Sequence, residues 1–349
     1  MDQVASEIRP WDAGHGSFAL VRTLQQAEMN YGRVDMMTRP DGRAVAVKRM
    51  PSKWVGTGPR EFAKAYPQAS ERPWCDLGFV RALNELRFPF TCDLLGVFAS
   101  ANSTYVVTSL ATHGDLFSWC FQAPGRGRER EAWMRPMFRQ VFTAVRWLHE
   151  LGIGHRDLSL ENMLLSDAGD GALRVKLIDF GMATLSRHCR AAVRGKRSYQ
   201  APEMHSEAPY DAFLADGFAL GVTLFVMGAQ DYPWTATRPD KCELYSHAQR
   251  HGVGAMLRSR KLRKGNGVLL CEALSPAFLE LLEGLLEADP ESRDTLGEEC
   301  FAAQERPSVW ESSWAKGSAD AEAEAADNSR QGRQASRGEC TVRRRRRPQ

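Results

Sequence analysis

Hydrophobic and polar positions change their period once along this 349-residue chain. From Phe18 to about Val107 the apolar residues come in short, β-branched runs separated by turn residues, the pattern of strands. Ala44-Val45-Ala46-Val47-Lys48 is expected to be a strand entered from the turn Pro40-Asp41-Gly42, and Tyr105-Val106-Val107 is expected to be another. From about Leu116 the spacing turns helical. Met134, Met137, Phe138, Val141, Val145 and Leu148 recur at three- and four-residue steps, which predicts an amphipathic helix ending before Gly152. Phe218–Ala229, the longest strongly apolar stretch, is too short to span a bilayer and reads as a buried helix. Phe278-Leu279, Leu281-Leu282 and Leu285-Leu286 mark a late helix. A β-rich part followed by a helical part is an α+β fold, with residues 1–17 as an irregular leader.

Composition adds limits. A hydrophobic share of 43%, with nine Trp and sixteen Phe, is enough for a large core. The net charge of +3 gives no whole-chain reason to bind nucleic acid. The eight Cys are scattered without a C-x-x-C pair, which argues against a zinc site or disulfide framework and suits a reducing compartment, cytoplasmic or nuclear. The N-terminal MDQVASEIRPWD has no apolar run and is not expected to be a signal peptide, and no membrane partner is expected. After Pro307 the composition changes, and residues 315–340 are rich in Ala, Glu, Gly, Ser and Asp, so the tail 303–349 is expected to be disordered. Its run of arginines from Arg343 to Arg347 reads as a solvated tail before it reads as an import signal or polyanion patch.

Three short motifs carry the chemistry. His155-Arg156-Asp157-Leu158-Ser159-Leu160-Glu161-Asn162 is followed by Asp179-Phe180-Gly181 and then by Ala201-Pro202-Glu203. Phosphoryl transfer asks a protein to orient an acceptor hydroxyl, hold metal ions and neutralise phosphate charge, and two carboxylates and an amide oxygen suit those tasks. In this order and spacing the set resembles the catalytic core of the eukaryotic protein kinases, serine/threonine type. The resemblance covers residues 18–302. It implies a two-lobed fold with an N-lobe over 18–109 and a C-lobe over 110–302, ATP and Mg²⁺ as cofactors, and a protein substrate. The competing class is a pseudokinase that serves as a nucleotide-binding scaffold.

The resemblance also assigns roles residue by residue. Asp157 orients the substrate hydroxyl, and Asn162 and Asp179 hold Mg²⁺. Lys48 contacts the nucleotide phosphates. Gly32, Val34, Ala46, Thr108, Ala111 and Leu164 line the nucleotide site, with Asp115 near the ribose. His155 packs under Phe180, Glu203 pairs with Arg293, and Asp216 props the catalytic loop. For the acidic partner of Lys48, Asp76 is favoured over Glu85, with Glu71 or no partner as the remaining alternatives. Gly14-His15-Gly16 is an off-register decoy for the phosphate loop. Tyr31-Gly32-Arg33-Val34 fits better, although the residues before it lack the family's earlier glycines, which implies a loop held further from the phosphates.

One substitution looks paired. Two residues after Asp157 the family carries a lysine, and here it is Ser159. After the glycine of the later segment the family carries a threonine, and here it is Lys196. Lys196 is therefore expected to reach back to Asp157 and the phosphate with Ser159 as its hydrogen-bond partner. Ala192 stands where the family places a phosphorylated residue. Arg187, Arg190, Arg194, Lys196 and Arg197 make the segment basic, which suggests an acidic substrate.

Overall fold

A computed structural model describes residues 8–11, 18–26, 32–122, 124–167, 169, 171–190, 192–263 and 267–317. The N-terminal part is built on a sheet of β1 (Arg9–Pro10), β2 (Ala19–Gln26), β3 (Arg33–Thr38), β4 (Ala44–Pro51), β5 (Leu94–Ala99) and β6 (Ser103–Ser109). Their order across the sheet is β1-β5-β6-β4-β3-β2. The alternation predicted for 44–48 is realised in β4, where Val45 and Val47 are 1% exposed while Ala46 and Lys48 turn to the other face.

Between β4 and β5 lie three helices, α1 (Ser52–Gly56), α2 (Gly58–Ala65) and α3 (Pro73–Glu85). Trp74 and Leu77 of α3 pack with Val55, Met50, Val97 and Val106 into a small apolar cluster on one face of the sheet. On the other face Val45, Val47, Phe98 and Val107 form a second cluster.

The helical part begins with α4 (Leu116–Gln122) and α5 (Arg128–Glu150). The hairpin of β7 (Met163–Asp167) and β8 (Leu173–Leu177) and the two-stranded pairing of β9 (His188–Cys189) with β10 (Tyr210–Asp211) follow. Then come α6 (Ala212–Ala229), α7 (Glu243–His251), α8 (Val253–Ser259), α9 (Leu270–Ala273), α10 (Pro276–Leu285) and α11 (Ser313–Lys316). The apolar stripe of α5 is buried as its period requires: Met134, Phe138, Val141, Val145 and Leu148 are each 0% exposed. α6 is long and apolar enough to cross a membrane, yet every one of its residues is buried inside the helical lobe. Its Asp216 accepts the backbone N–H groups of His155 and Arg156, so the segment around Asp157 hangs from it.

Two boundaries differ from the sequence expectation. Part of the leader joins the fold: Arg9 and Pro10 pair in parallel with Phe98 and Ala99, and Trp11 stacks on Tyr105 at 4.0 Å. Part of the expected tail does too: residues 303–317 return to the helical lobe, where Trp314 is 1% exposed against Phe278 and Trp310 donates to Leu296 O. In both places large aromatic rings fund local order that composition averaged over a longer stretch conceals. The decoy glycines Gly14 and Gly16, Tyr31 and the arginine run lie outside the described residues.

Candidate active site

The two parts meet at Lys48. Its Nζ lies 2.7 Å from Asp76 Oδ2 and 3.7 Å from Asp179 Oδ1. Asp76 sits in the first turn of α3, behind Pro73, where a negative charge is favoured by the helix dipole. Its second oxygen, Oδ1, accepts from the backbone N–H of Phe180 at 3.0 Å. One 8%-exposed carboxylate thus ties β4, α3 and the Asp179-Phe180-Gly181 segment together. Glu85 is elsewhere, paired with Arg81 at the surface at 2.8 Å. Glu71 packs against Gly181, and the N–H of Arg72 donates to Gly181 O at 2.9 Å. Burial would lower the Lys48 pKa, but Asp76 and Asp179 outweigh it and raise it. In turn Lys48 holds Asp179 below the usual carboxylate range against the opposing effect of burial.

The expected nucleotide wall is one face of the sheet. Val34 pairs directly with Lys48, and Ala46 pairs with Thr108 across β4 and β6. Val34, Ala46, Thr108, Ala111, Leu164 and Gly32 are all half-buried, whereas their neighbours Val45, Val47 and Val107 are closed. A face left half-open between two lobes is the form a ligand cleft takes. Leu164 reaches it from below, bridged to Asp115. The Asp115 carboxylate accepts from Ser118 N–H at 2.6 Å, capping the start of α4, so its first task is structural.

The loop that carries Asp157 is suspended from α6. Asp216, 1% exposed, accepts the backbone N–H groups of His155 and Arg156, each at 2.7 Å. Asp216 is itself held by His149 Nε2 at 3.2 Å, and His149 Nδ1 contacts Glu298 at 2.6 Å. Burial alone would lower the His149 pKa, but hydrogen bonds to Asp216 and Glu298 raise it to about 9. His155 is 0% exposed, its ring 5.0 Å from that of Phe180. Arg156 and Asp179 both adopt left-handed φ of 64°, a conformation that non-glycine residues keep only where surrounding contacts impose it. Glu203 and Arg293 form the expected two-pronged pair at 2.6 and 3.0 Å.

Asn162 donates from Nδ2 to Asp157 O at 2.8 Å and to Asp157 Oδ2 at 3.1 Å. These contacts do not use Asn162 Oδ1, which with the Asp179 carboxylate makes up a set of hard oxygen donors. No group of three or more His, Cys, Asp or Glu side chains suited to a metal occurs among the described residues. Such a half-set fits Mg²⁺, which takes one or two protein oxygens and completes its shell with phosphates and water. Asp157 is pushed up to about 7, first by burial and then by the neighbouring Asp179.

Ser159 is fully buried, and its Oγ receives Lys196 Nζ at 2.9 Å. The same ammonium lies 2.9 Å from Glu161 Oε2, a partner that sequence reasoning missed. Sequence reasoning also missed the His149–Glu298 contact, and it weighed Glu71 only as a partner of Lys48, not as a neighbour of Gly181. The signals available to it were single acidic residues without a period.

A family model described as the protein kinase domain matches residues 30–304. The chain belongs to the protein kinase domain family. Among curated proteins it is 31% identical over 225 residues to CBL-interacting serine/threonine-protein kinase 13 of Arabidopsis thaliana, covering 63% of this chain and 40% of that protein. It is 35% identical over 204 residues to CBL-interacting protein kinase 29 of Oryza sativa subsp. japonica, covering 57% and 42%. With CBL-interacting serine/threonine-protein kinase 26 of Arabidopsis thaliana it shares 28% identity over 308 residues, 85% of this chain and 59% of that one. The chain therefore spans roughly two fifths of the length of the first of these relatives.

Proposed function

We propose that the chain is an active Mg-ATP-dependent kinase that phosphorylates protein serine and threonine hydroxyls. The observation that carries this reading is the convergence of Lys48, Asp179, Asn162 and Asp157 on one cleft with their connecting contacts made. The left-handed Asp179 and the closed Lys48–Asp76 pair give a cleft set for reaction. Asn162 and Asp179 are the residues that would hold Mg²⁺, which would supply positive charge against the phosphates. Lys48 would hold the phosphates beneath Val34 and Gly32, Thr108 and Ala111 would frame the adenine, and Asp157 would orient and accept the proton of the acceptor hydroxyl.

We infer an acidic substrate from the basic segment. Arg187 is spent on Asp211 at 2.7 Å. Arg72, Arg156 and Arg194 have no ion pair among the described residues, and Arg194 is depressed first by burial and then by the like charges of Arg156 and Arg72. Arginines that repel one another without a counter-charge favour an incoming anion.

The test is transfer of labelled phosphate from Mg-ATP to casein, which is acidic, and to histone, which is basic, with Asp157→Asn as control. The expected result is labelled phosphoserine or phosphothreonine on casein, lost in the control. Binding of ATP without transfer to either protein would return the chain to the scaffold class. A preference for histone would overturn the acidic-substrate reading alone.

A further inference from the structure

We propose that Lys196 is the second phosphate-facing cation of the transfer site, delivered from the segment after Gly195 and seated on Ser159. This rests on the kinase reading above and assigns one residue within it.

The seat is built. Gly195 has φ +79°, and a Cβ there would come within 2.9 Å of Arg156 O and 3.3 Å of Asp157 Oδ1. Only glycine lets this strand of chain lie against the catalytic loop. The residues beyond are fixed as well: Gln200 Nε2 donates to Gly195 O at 2.8 Å, Tyr199 N–H to Lys196 O at 2.9 Å, and Trp234 Nε1 to Ser198 O at 3.1 Å. From that anchored base the side chain runs back to Ser159, two residues past Asp157, and its Nζ meets a hydroxyl that is closed to solvent on every other side. A surface lysine pairing with Glu161 for solubility would have no reason to contact a buried serine.

The charge arithmetic points the same way. The cleft gathers Asp157, Asp179 and Asp76 before any nucleotide enters, and only Asp76 is directly closed by a cation at hydrogen-bond distance. Lys48 serves the sheet side. Lys196 follows Gly195, whose backbone lies against Asp157, and its Nζ is seated two residues past Asp157 on Ser159. An ammonium carries three donors. Ser159 takes one and Glu161 faces another, although Glu161 Oε2 lacks an aligned hydrogen bond despite its proximity. The remaining donor can meet a phosphoryl oxygen without the side chain leaving its seat. In the step served, the acceptor oxygen bonds to the γ-phosphorus and the bond to the β–γ bridging oxygen breaks. Its electron pair leaves on ADP, the hydroxyl proton passes to Asp157, and Lys196 stabilises charge on the transferring oxygens.

The test compares wild type, Lys196→Met, and the reciprocal pair Ser159→Lys with Lys196→Ser, measuring kcat and KM for casein and for ATP. Each variant is checked for fold by the rise in Tm that Mg-ADP produces. Lys196→Met is expected to lower kcat about 100-fold with KM for casein within about threefold, the mark of a donor that acts in the transition state. The reciprocal pair, which returns an ammonium to the same spot from the catalytic loop, is expected to recover at least about tenfold of that loss. Lys196→Met within twofold of wild type would overturn the assignment. So would a reciprocal pair that folds, binds Mg-ADP and transfers no faster than Lys196→Met. If the reciprocal pair fails to fold, Lys196→Arg replaces it, and partial activity there against none in Lys196→Met supports the role while equal activity in both overturns it. Absence of transfer by the wild type would instead sink the kinase reading, so the two failures are distinct.

Discussion

The two ammonium groups of the cleft are held in different ways. Lys48 projects from the middle of a sheet, opposite Val34 and Val106 on its two neighbouring strands, and is closed by a carboxylate on a packed helix. Lys196 projects from a turn, with a side chain 43% exposed, and is held by the glycine before it, the buried Ser159 hydroxyl and Glu161. The first station is fixed by two apolar clusters that must form for the N-terminal part to fold at all. The second rests on contacts between one turn and the loop after Asp157. A site assembled this way has a permanent cation and a conditional one, and the conditional one lies on the segment that faces substrate.

The sharpest way to break the comparison is to remove the permanent cation. Lys48→Met should lower kcat/KM about 1,000-fold, because it strips a phosphate contact and leaves Asp76 and Asp179 facing each other across a partly buried gap. Steady-state transfer to casein checks this, and a loss below tenfold would mean that the nucleotide is held elsewhere.

Next in size is the support behind the catalytic loop. The folded pKa of His149 stands above its unfolded value, so its contribution is complete below about pH 6.5 and is lost as pH rises through about 9. That loss is on the order of 3 kcal/mol. Urea unfolding of wild type across pH 6 to 9.5 should show stability falling with pH, and His149→Gln should flatten the fall. An unchanged slope in the variant would remove His149 from the account. The effect belongs to the scaffold, since His149 and Glu298 touch no predicted ligand and reach the site only through Asp216.

How much of this was open to sequence reasoning follows from the same contrast. The motif residues were legible because phosphoryl transfer restricts which groups can stand there. The partner of Lys48 was legible by helical geometry, since Asp76 and Glu85 point to different faces of one helix. The Ser159–Lys196 contact was legible as an exchange of residue types between two places in the chain. What could not be read was contact between distant segments without a pattern of their own. Arg9–Pro10 is a strand of only two residues and has no alternation to detect. Trp314 is buried by a four-residue helix embedded in polar sequence. Glu161 drew attention only as a neighbour of Asn162, and nothing in its spacing announces a lysine from another segment.

A smaller effect targets the turn that delivers Lys196. Gly195→Ala forces a Cβ toward Arg156 O in a left-handed conformation. It should cost about 1–2 kcal/mol of local strain and lower kcat about tenfold, with Tm falling by about 3 °C. Loss of stability without loss of kcat would show that the turn can shift while the ammonium keeps its place.

The smallest effect is the most selective between the two stations. Screening acts on charges that water reaches, and the Debye length falls from about 10 Å at 0.1 M salt to about 4–5 Å at 0.5 M. Lys196 is the more exposed of the pair, and its ion partner Glu161 is 38% exposed, whereas the Asp76 side chain that closes Lys48 is 11% exposed. Raising KCl from 0.1 to 0.5 M should therefore lower wild-type kcat two- to threefold through the outer station, on the order of 0.5 kcal/mol. Lys196→Met should lose that salt dependence of kcat, keeping only whatever salt does to casein KM. Lys48→Met, measured at its low residual rate, should retain it. If the two variants respond to salt alike, the division into a packed cation and a delivered one is wrong, and both ammonium groups belong to a single electrostatic unit.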